Sequence, residues 1–310
     1  MRKKVVKDKN RIKISGKSQA LKDFFRKASF ILPAMFMLVM LTGYPLFQVI
    51  QMSFFDYSDL KQPVYSGMSN YISVLSDPLF WNAMKNTLVF SIISVACGLC
   101  MGLILALLLN QPINLKVRAF FRSILMFPWL ISSTVIAATW ILILTPFGLF
   151  NGILKFFGFY ELSQMAWLGD ERTAIFGVIA ANIWRGFPFM MLMILAGLQT
   201  IPKDLYEASD IDGANFFGRL LHITLPQLKN IILTITILEL IWNFRAFDLV
   251  FLMTGGGPMN ATENLSTFIY NHAFRRLDFG YASSAAISML FVMILASWAY
   301  LKANAWKGAD

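Results

Sequence analysis

Metal-ligating and nucleophilic side chains are scarce in this sequence: 310 residues hold two histidines and two cysteines. Cys97 and Cys100 sit one helical turn apart inside an apolar run, and with no second pair there is neither a four-ligand zinc set nor a disulfide framework. They read as packing residues. His222 and His272 have no imidazole or thiol near them in sequence, which points to solvated or capping roles rather than ligation. Charge is thin as well. Asp, Glu, Lys and Arg make up 14% of the chain against 57% apolar residues, which excludes an ordinary soluble domain and places the chain in the multispan membrane class.

The net charge of +10 belongs to one end. Of 27 basic residues, 11 precede Ala28, and with Asp8 and Asp23 that tail holds +9. A nucleic-acid surface needs its cations on a folded face, so no nucleic-acid partner is expected. Flanking charge that sets membrane orientation explains the tail better. Within it, positions 21–27 alternate apolar and basic residues, which suits either a helix lying among lipid headgroups or a plain solvated tail. Gly16-Lys17-Ser18 imitates the end of a phosphate-binding loop, but Arg11 stands where the first glycine must be and no strand precedes it. The first apolar run is too long for a secretory signal peptide and lacks a small-residue cleavage site.

What the chain has in abundance is long apolar runs. Six stretches reach the length of about 20 residues that a bilayer demands: 29–52, 84–109, 120–144, 174–198, 231–254 and 281–301. The expected fold is all-α, a polytopic membrane protein with six transmembrane helices. Its organisation is a basic tail at 1–28, a permeation domain at 29–302 and a short tail at 303–310. With the first tail in the cytosol, 19 Lys and Arg fall on that side, 6 on the other and 2 within spans. That asymmetry satisfies the positive-inside rule and puts both termini, and the segment 201–226, in the cytosol. Gly98 and Gly102 form a G-x-x-x-G pair suited to close helix packing, and Pro33 and Tyr44-Pro45 mark kinks in the first span.

Four charges fall inside the predicted spans: Arg185 in the fourth, and Glu239, Arg245 and Asp248 in the fifth. Each would cost about 2.5 to 3.5 kcal/mol if it faced lipid at mid-depth, so they must face protein or a wet path. Arg245 and Asp248 are spaced i, i+3 for mutual neutralisation, and Glu239 is left to meet Arg185. Around them lie Asn182, Trp184, Phe187 and Phe189, with Trp242, Asn243 and Phe247. Flat rings mixed with amides suit a sugar, whose C–H face stacks on a ring while its hydroxyls pair with amides and guanidinium groups. Aromatic packing alone would give a similar composition.

The segment 201–226 reads I-P-K-D-L-Y-E-A-S-D-I-D-G-A-N-F-F-G-R-L-L-H-I-T-L-P. Asp204 followed by Glu207 has capping-box spacing, Gly213 supplies a stop, and Leu205, Ala208 and Ile211 share one helical stripe. Glu207-Ala208-Ser209, then Gly213, then Ile223-Thr224-Leu225-Pro226 resembles the cytosolic signature of ATP-binding cassette import permeases, with Ser209 where Ala is usual. The resemblance implies a cytosolic coupling helix seated in a cleft of a separate ATPase, carried by Tyr206, Glu207, Ala208, Ser209, Asp212, Gly213 and Pro226. It implies no cofactor in this chain, since ATP and Mg would be bound by the partner ATPase.

N-I-W-R-G-F-P-F-M in the fourth span and W-N-F-R-A-F-D-L-V-F-L-M-T-G-G-G-P in the fifth are similar to the carbohydrate class of these permeases, first-permease type. Further similar blocks are Asn70-Tyr71, Asp77-Pro78-Leu79-Phe80-Trp81, Asn86-Thr87, Gly256-Gly257-Pro258, Ala261-Thr262, Tyr270, Ala273-Phe274 and Gly280-Tyr281-Ala282. The resemblance implies a sugar pathway lined by Asn182, Gly186, Phe189, Trp242, Asn243, Arg245 and Ala246, to which the residues' own chemistry adds Arg185 and Glu239. Arg245 departs from the uncharged residue of the maltose-type permease. Implied partners are a second, homologous permease, two ATPase subunits, an extracytoplasmic sugar-binding protein and the bilayer of the cell membrane. The alternative is an ion-coupled secondary transporter using Glu239, Arg245 and Asp248 as a relay; no paired acids or nucleophile and base suggest an enzyme.

Overall fold

The computed structural model describes residues 29, 31–57, 59 and 61–305, so the basic tail, its phosphate-loop imitation and its 21–27 segment lie outside the described residues. Two compact units divide at Met52 and Ser53. The described residues of the first form one helix, α1 (Ile31–Met52), long and apolar enough to cross a membrane. It widens into a π turn at Val39–Gly43, just ahead of Pro45, whose ring has no N–H to give and crowds the carbonyl four residues back.

The second unit holds a two-strand hairpin, β1 (Phe55–Asp56) and β2 (Val64–Tyr65), antiparallel with Phe55 opposite Tyr65. Helices follow: α2 (Ser69–Ser76), α3 (Pro78–Leu109), α4 (Leu115–Leu130), α5 (Ser133–Leu144), α6 (Leu149–Phe156) and α7 (Ala174–Leu198). Then come α8 (Lys203–Ile211), α9 (Phe216–Phe244), α10 (Asp248–Thr254), α11 (Leu265–Tyr270) and α12 (Phe279–Ala305). Among the described residues, six stretches are long and apolar enough to cross a membrane, in agreement with the count read from sequence.

Two spans differ from expectation. The third, expected at 120–144, is displaced: α4 carries Pro128 in its last turn, Ile131 and Ser132 are extended before α5 begins, and the stretch long and apolar enough to cross runs Ser133–Phe156, taking in α5 and α6. The fifth, expected at 231–254, starts earlier and ends at Phe244, and Arg245 to Phe247 break it from α10. A π turn at Leu220–Thr224 again precedes a proline, Pro226.

The long helices α3 and α7 form the spine. A Cβ on Gly102 would lie 2.9 Å from the Met191 backbone nitrogen and 3.2 Å from the Met190 carbonyl carbon, and one on Gly98 would lie 2.9 Å from the Met190 side-chain tip. The G-x-x-x-G expectation therefore holds, and it is the absence of a side chain at Gly102 that lets the backbones meet. Cys97 and Cys100, expected to pack, are exposed. At helical spacing the glycines hold the inner face, which turns both thiols outward.

The blocks that resembled sugar permeases converge on the end opposite loop 201–226. Asp77 caps α3 by accepting from Leu79 N (2.8 Å) and also accepts from the Tyr281 hydroxyl (2.7 Å). Asn82 and Asn86 donate to the Asn260 carbonyl, Asn86 also to that of Glu263, and Thr87 accepts from Leu265 N. Asn70 donates to the Ser53 and Phe55 carbonyls. His272, expected to be solvated or capping, is buried between Phe268 and Tyr281. Burial holds its imidazole below the ordinary 6.5 and the Glu263 carboxyl above the ordinary 4.5.

The two glycines differ in what they meet, which yields a test. Gly102→Ala forces a methyl against backbone, with an overpacking cost of about 1–3 kcal/mol, whereas Gly98→Ala meets only a flexible methionine tip. Thermal unfolding in lipid nanodiscs is expected to show a clear loss for Gly102→Ala and a smaller one for Gly98→Ala. The reverse order would place the tight contact elsewhere.

Candidate functional site

A cavity of about 480 Å³ opens where α9 ends. From α7 it is lined by Asn182, Arg185 and Gly186, and from α9 and the break by Glu239, Trp242, Asn243, Arg245 and Ala246. Eight of the nine residues expected in the pathway therefore share one cavity. The ninth, Phe189, lies behind the wall, its ring tilted on Trp242 at 5.2 Å and stacked on Trp129 at 6.0 Å.

The polar lining splits into satisfied and unsatisfied groups. Asn182 Nδ2 donates to Asn243 Oδ1 (2.6 Å), and Asn243 Nδ2 donates to the Glu239 backbone carbonyl (2.9 Å). That ladder ties α7 to α9. Arg185, Arg245 and Asp248 have no hydrogen bond or ion pair among the described residues. Of the pairings expected from sequence, Arg245 with Asp248 is not formed, whereas Arg185 and Glu239 line the same cavity and attract each other electrostatically without a direct hydrogen-bonded ion pair. For the first pair the reason is the helix break: Arg245 is the C-cap of α9, and Asp248 opens α10, where its carboxylate suits the helix N-terminus.

The break has its own support. Asn264 donates its side-chain amide to the Ala246 carbonyl that the interrupted helix leaves free, and Phe247 stacks on Phe251 at 4.8 Å and tilts on Tyr270 at 4.9 Å. Trp129, Ser94, Gly98 and Met190, not read into the site from sequence, also line it, as do Phe187 and Phe247 of the sugar-suited group and Asp248 of the span charges. Trp184, grouped with the sugar-suited residues, instead packs edge-on against Trp140 at 6.3 Å, away from the cavity.

At the other end of α7, loop 201–226 folds back on the helix bases. Asp204 does not cap α8. Pro202 takes the N-cap position with no side-chain bond, so the capping box with Glu207 is not formed, and Asp204 lies in the first turn. Two inward residues fix the helix: Tyr206 hydroxyl meets Thr224 Oγ1 at 3.0 Å, and Ser209 Oγ donates to the Tyr206 carbonyl at 2.7 Å. Ser209 is buried, so its hydroxyl serves the loop's own backbone. Leu205, Ala208 and Ile211 are exposed together, as their shared stripe predicted, with Ile211 88% exposed. Glu207, Asp212 and Pro226 are also exposed, and Gly213 turns the chain at φ 71°. Asp210 and Arg219 form an ion pair across that turn.

Residues 98–304, which include the loop and most of the cavity wall, match the family profile of the binding-protein-dependent transport system inner membrane component. The chain belongs to this family. A relative from Thermococcus litoralis, the trehalose/maltose transport system permease protein MalF, is 39% identical over 254 residues, covering 81% of this chain and 84% of the relative. The arabinooligosaccharides transport system permease protein AraP of Bacillus subtilis is 32% identical over 303 residues, covering 95% of each. Among solved structures, a chain of a bacterial ABC transporter involved in the import of the acidic polysaccharide alginate superposes with a TM-score of 0.79 over 91% of this chain and 96% of that chain. At 24% identity the last likeness concerns the fold.

Membership of this transport family makes the chain a multi-pass membrane permease component, as read from 201–226. Gly213 offers a test of that loop. Its φ is costly for a side chain by about 1–2 kcal/mol, less for Asn, while a Cβ there would meet nothing within 4 Å. Gly213→Val is expected to lower transport by the assembled complex with membrane insertion unchanged, and Gly213→Asn to retain most of it. Equal loss in both would mean that bareness, not backbone conformation, is what the position supplies.

Proposed function

We propose that this chain forms half of the translocation pathway of an ATP-binding cassette carbohydrate importer. A second, homologous permease forms the other half, two ATPase subunits sit on the cytosolic side, and an extracytoplasmic binding protein delivers the sugar. The observation that carries the reading is the cavity: Trp129 and Trp242, backed by Phe189, offer flat faces beside the Asn182 and Asn243 amides and two guanidinium groups that make no direct hydrogen bond to protein. The names of the relatives, trehalose/maltose and arabinooligosaccharide permeases, point the same way.

Orientation follows from the charge asymmetry, with both termini and loop 201–226 in the cytosol of a cell (plasma or inner) membrane. Exposed Leu205, Ala208 and Ile211 present a narrow apolar stripe to the ATPase cleft, with Glu207 and Asp212 beside it. Tyr206 transmits its displacement inward, because its hydrogen bond to Thr224 joins α8 to the base of α9, while Ser209 holds the Tyr206 carbonyl within α8. Alternating access is then a population shift. ATP must favour the outward-facing state through contacts that differ between the two states, and hydrolysis restores the inward-facing one. Arg185 and Arg245 meet substrate hydroxyls or a substrate anion. The chain itself supplies no catalytic group.

An ion-coupled secondary transporter is the lesser reading, since a relay through Arg245 and Asp248 lacks the direct pairing such a chain of groups needs. The test is reconstitution. Liposomes holding both permeases and the ATPases, with the binding protein loaded with maltodextrins or other oligosaccharides, are expected to take up sugar only with ATP on the ATPase side. Steady uptake by this chain alone, or driven by an ion gradient without ATP, overturns the proposal.

A further inference from the structure

Helix α6 is the most one-sided element of the fold. Its single buried residue, Asn151, is 3% exposed and has its amide fully employed: Oδ1 accepts from Trp167 Nε1 (2.6 Å), and Nδ2 donates to the carbonyls of Pro146 (3.1 Å) and Met165 (2.9 Å). These bonds clamp the inner face onto the rest of the 145–173 connection. The outer face is bare. Leu149 and Phe156 are 65% and 85% exposed, and Phe147 and Phe157 at its ends 102% and 69%.

Charge within the connection is sharply divided. Lys155 is the only charged residue between 145 and 160, whereas Glu161, Asp170, Glu171 and Arg172 crowd the second half. An apolar patch of this kind is not left to water. Its depth tells what covers it. Only four residues, Pro146 and Gly148 among them, separate the end of α5 at Leu144 from Leu149, and α6 forms the last part of the apolar stretch Ser133–Phe156, so it lies at the level where the third span leaves the hydrocarbon. On α5 itself Val135 and Leu142, two helical turns apart, are also exposed. Clustered aromatics at that level, with a lysine whose stem reaches polar headgroups, suit the membrane interface.

We infer that α6 and its flanking phenylalanines lie in the interfacial layer of the leaflet opposite loop 201–226, with the apolar face among the acyl chains and Lys155 at the headgroups. The occupant of this face is lipid, not the second permease or a soluble protein. The segment anchors one end of the third span at fixed depth while α7 and α9 remain free to move. The inference requires the chain to span the membrane and is independent of what the cavity carries.

Spin-label accessibility tests it without any transport assay. Cys97 and Cys100 are exposed and are first replaced by alanine. Nitroxides are then placed by Phe156→Cys and Phe147→Cys, with Gln164→Cys as the reference in the polar half, in the complete transporter in liposomes. Collision with oxygen is expected to exceed collision with a water-soluble nickel chelate severalfold at 147 and 156, and the ratio is expected to invert at 164. Nickel access at 147 and 156 equal to that at 164 would place the face in water. Shielding from both reagents would place it under a protein partner. Either result overturns the inference, and Phe147, outside the helix, keeps it testable if Phe156→Cys fails to assemble.

Discussion

Two helix backbones come into contact only where no side chain intervenes, and Gly102 against Met190 and Met191 is that place here. In a membrane, apolar side chains gain little by leaving lipid for protein, so such close approach carries much of the helix pairing. The consequence reaches both ends of α7. One turn along α3, Gly98 and the Met190 side chain form part of the cavity wall. Toward loop 201–226, α7 closes on α9 through Gly197, where a Cβ would lie 2.7 Å from Leu228 Cδ2. Cavity and loop are thus held to one rigid spine.

The cavity exists because α9 stops. Had it continued to Thr254 as an unbroken helix, Arg245 and Asp248 would share a face and neutralise each other. The break instead frees the Ala246 carbonyl, which Asn264 satisfies, and leaves the two charges lining the cavity unpaired. Unpaired charge at membrane depth is expensive and persists only beside water or a ligand. Satisfied amides one step away, Asn182 and Asn243, keep the opposing helices in register, so the polar site divides its labour between holding the wall and meeting what passes.

The parts legible in the sequence were those written locally. The fourth span was read to the residue, 174–198, because polar residues bound it on both sides. Loop 201–226 was legible through its spacing, and its outward stripe followed from helical period. What escaped was set from a distance. Nothing in W-N-F-R-A-F-D announces a helix end, since neither glycine nor proline is present; the support comes from Asn264 and from the aromatic group at Phe251 and Tyr270. Asp204 had the pattern of a cap, but Pro202 already held that position. Trp129 looked like one more apolar residue of a span until the break after α4 turned it toward Phe189.

The central claim is that displacement of loop 201–226 reaches the cavity through α7 and α9 as one body. The most direct measurement places a single thiol in the cavity by Ala246→Cys, with Cys97 and Cys100 replaced, in the complete transporter in sealed vesicles. Its reaction with a membrane-impermeant reagent is followed from each side, with and without an ATP analogue that cannot be hydrolysed. The account predicts that reactivity from the loop side falls severalfold when the analogue binds and that reactivity from the opposite side rises. Reactivity unchanged on both sides, with the analogue bound and the complex intact, would contradict it.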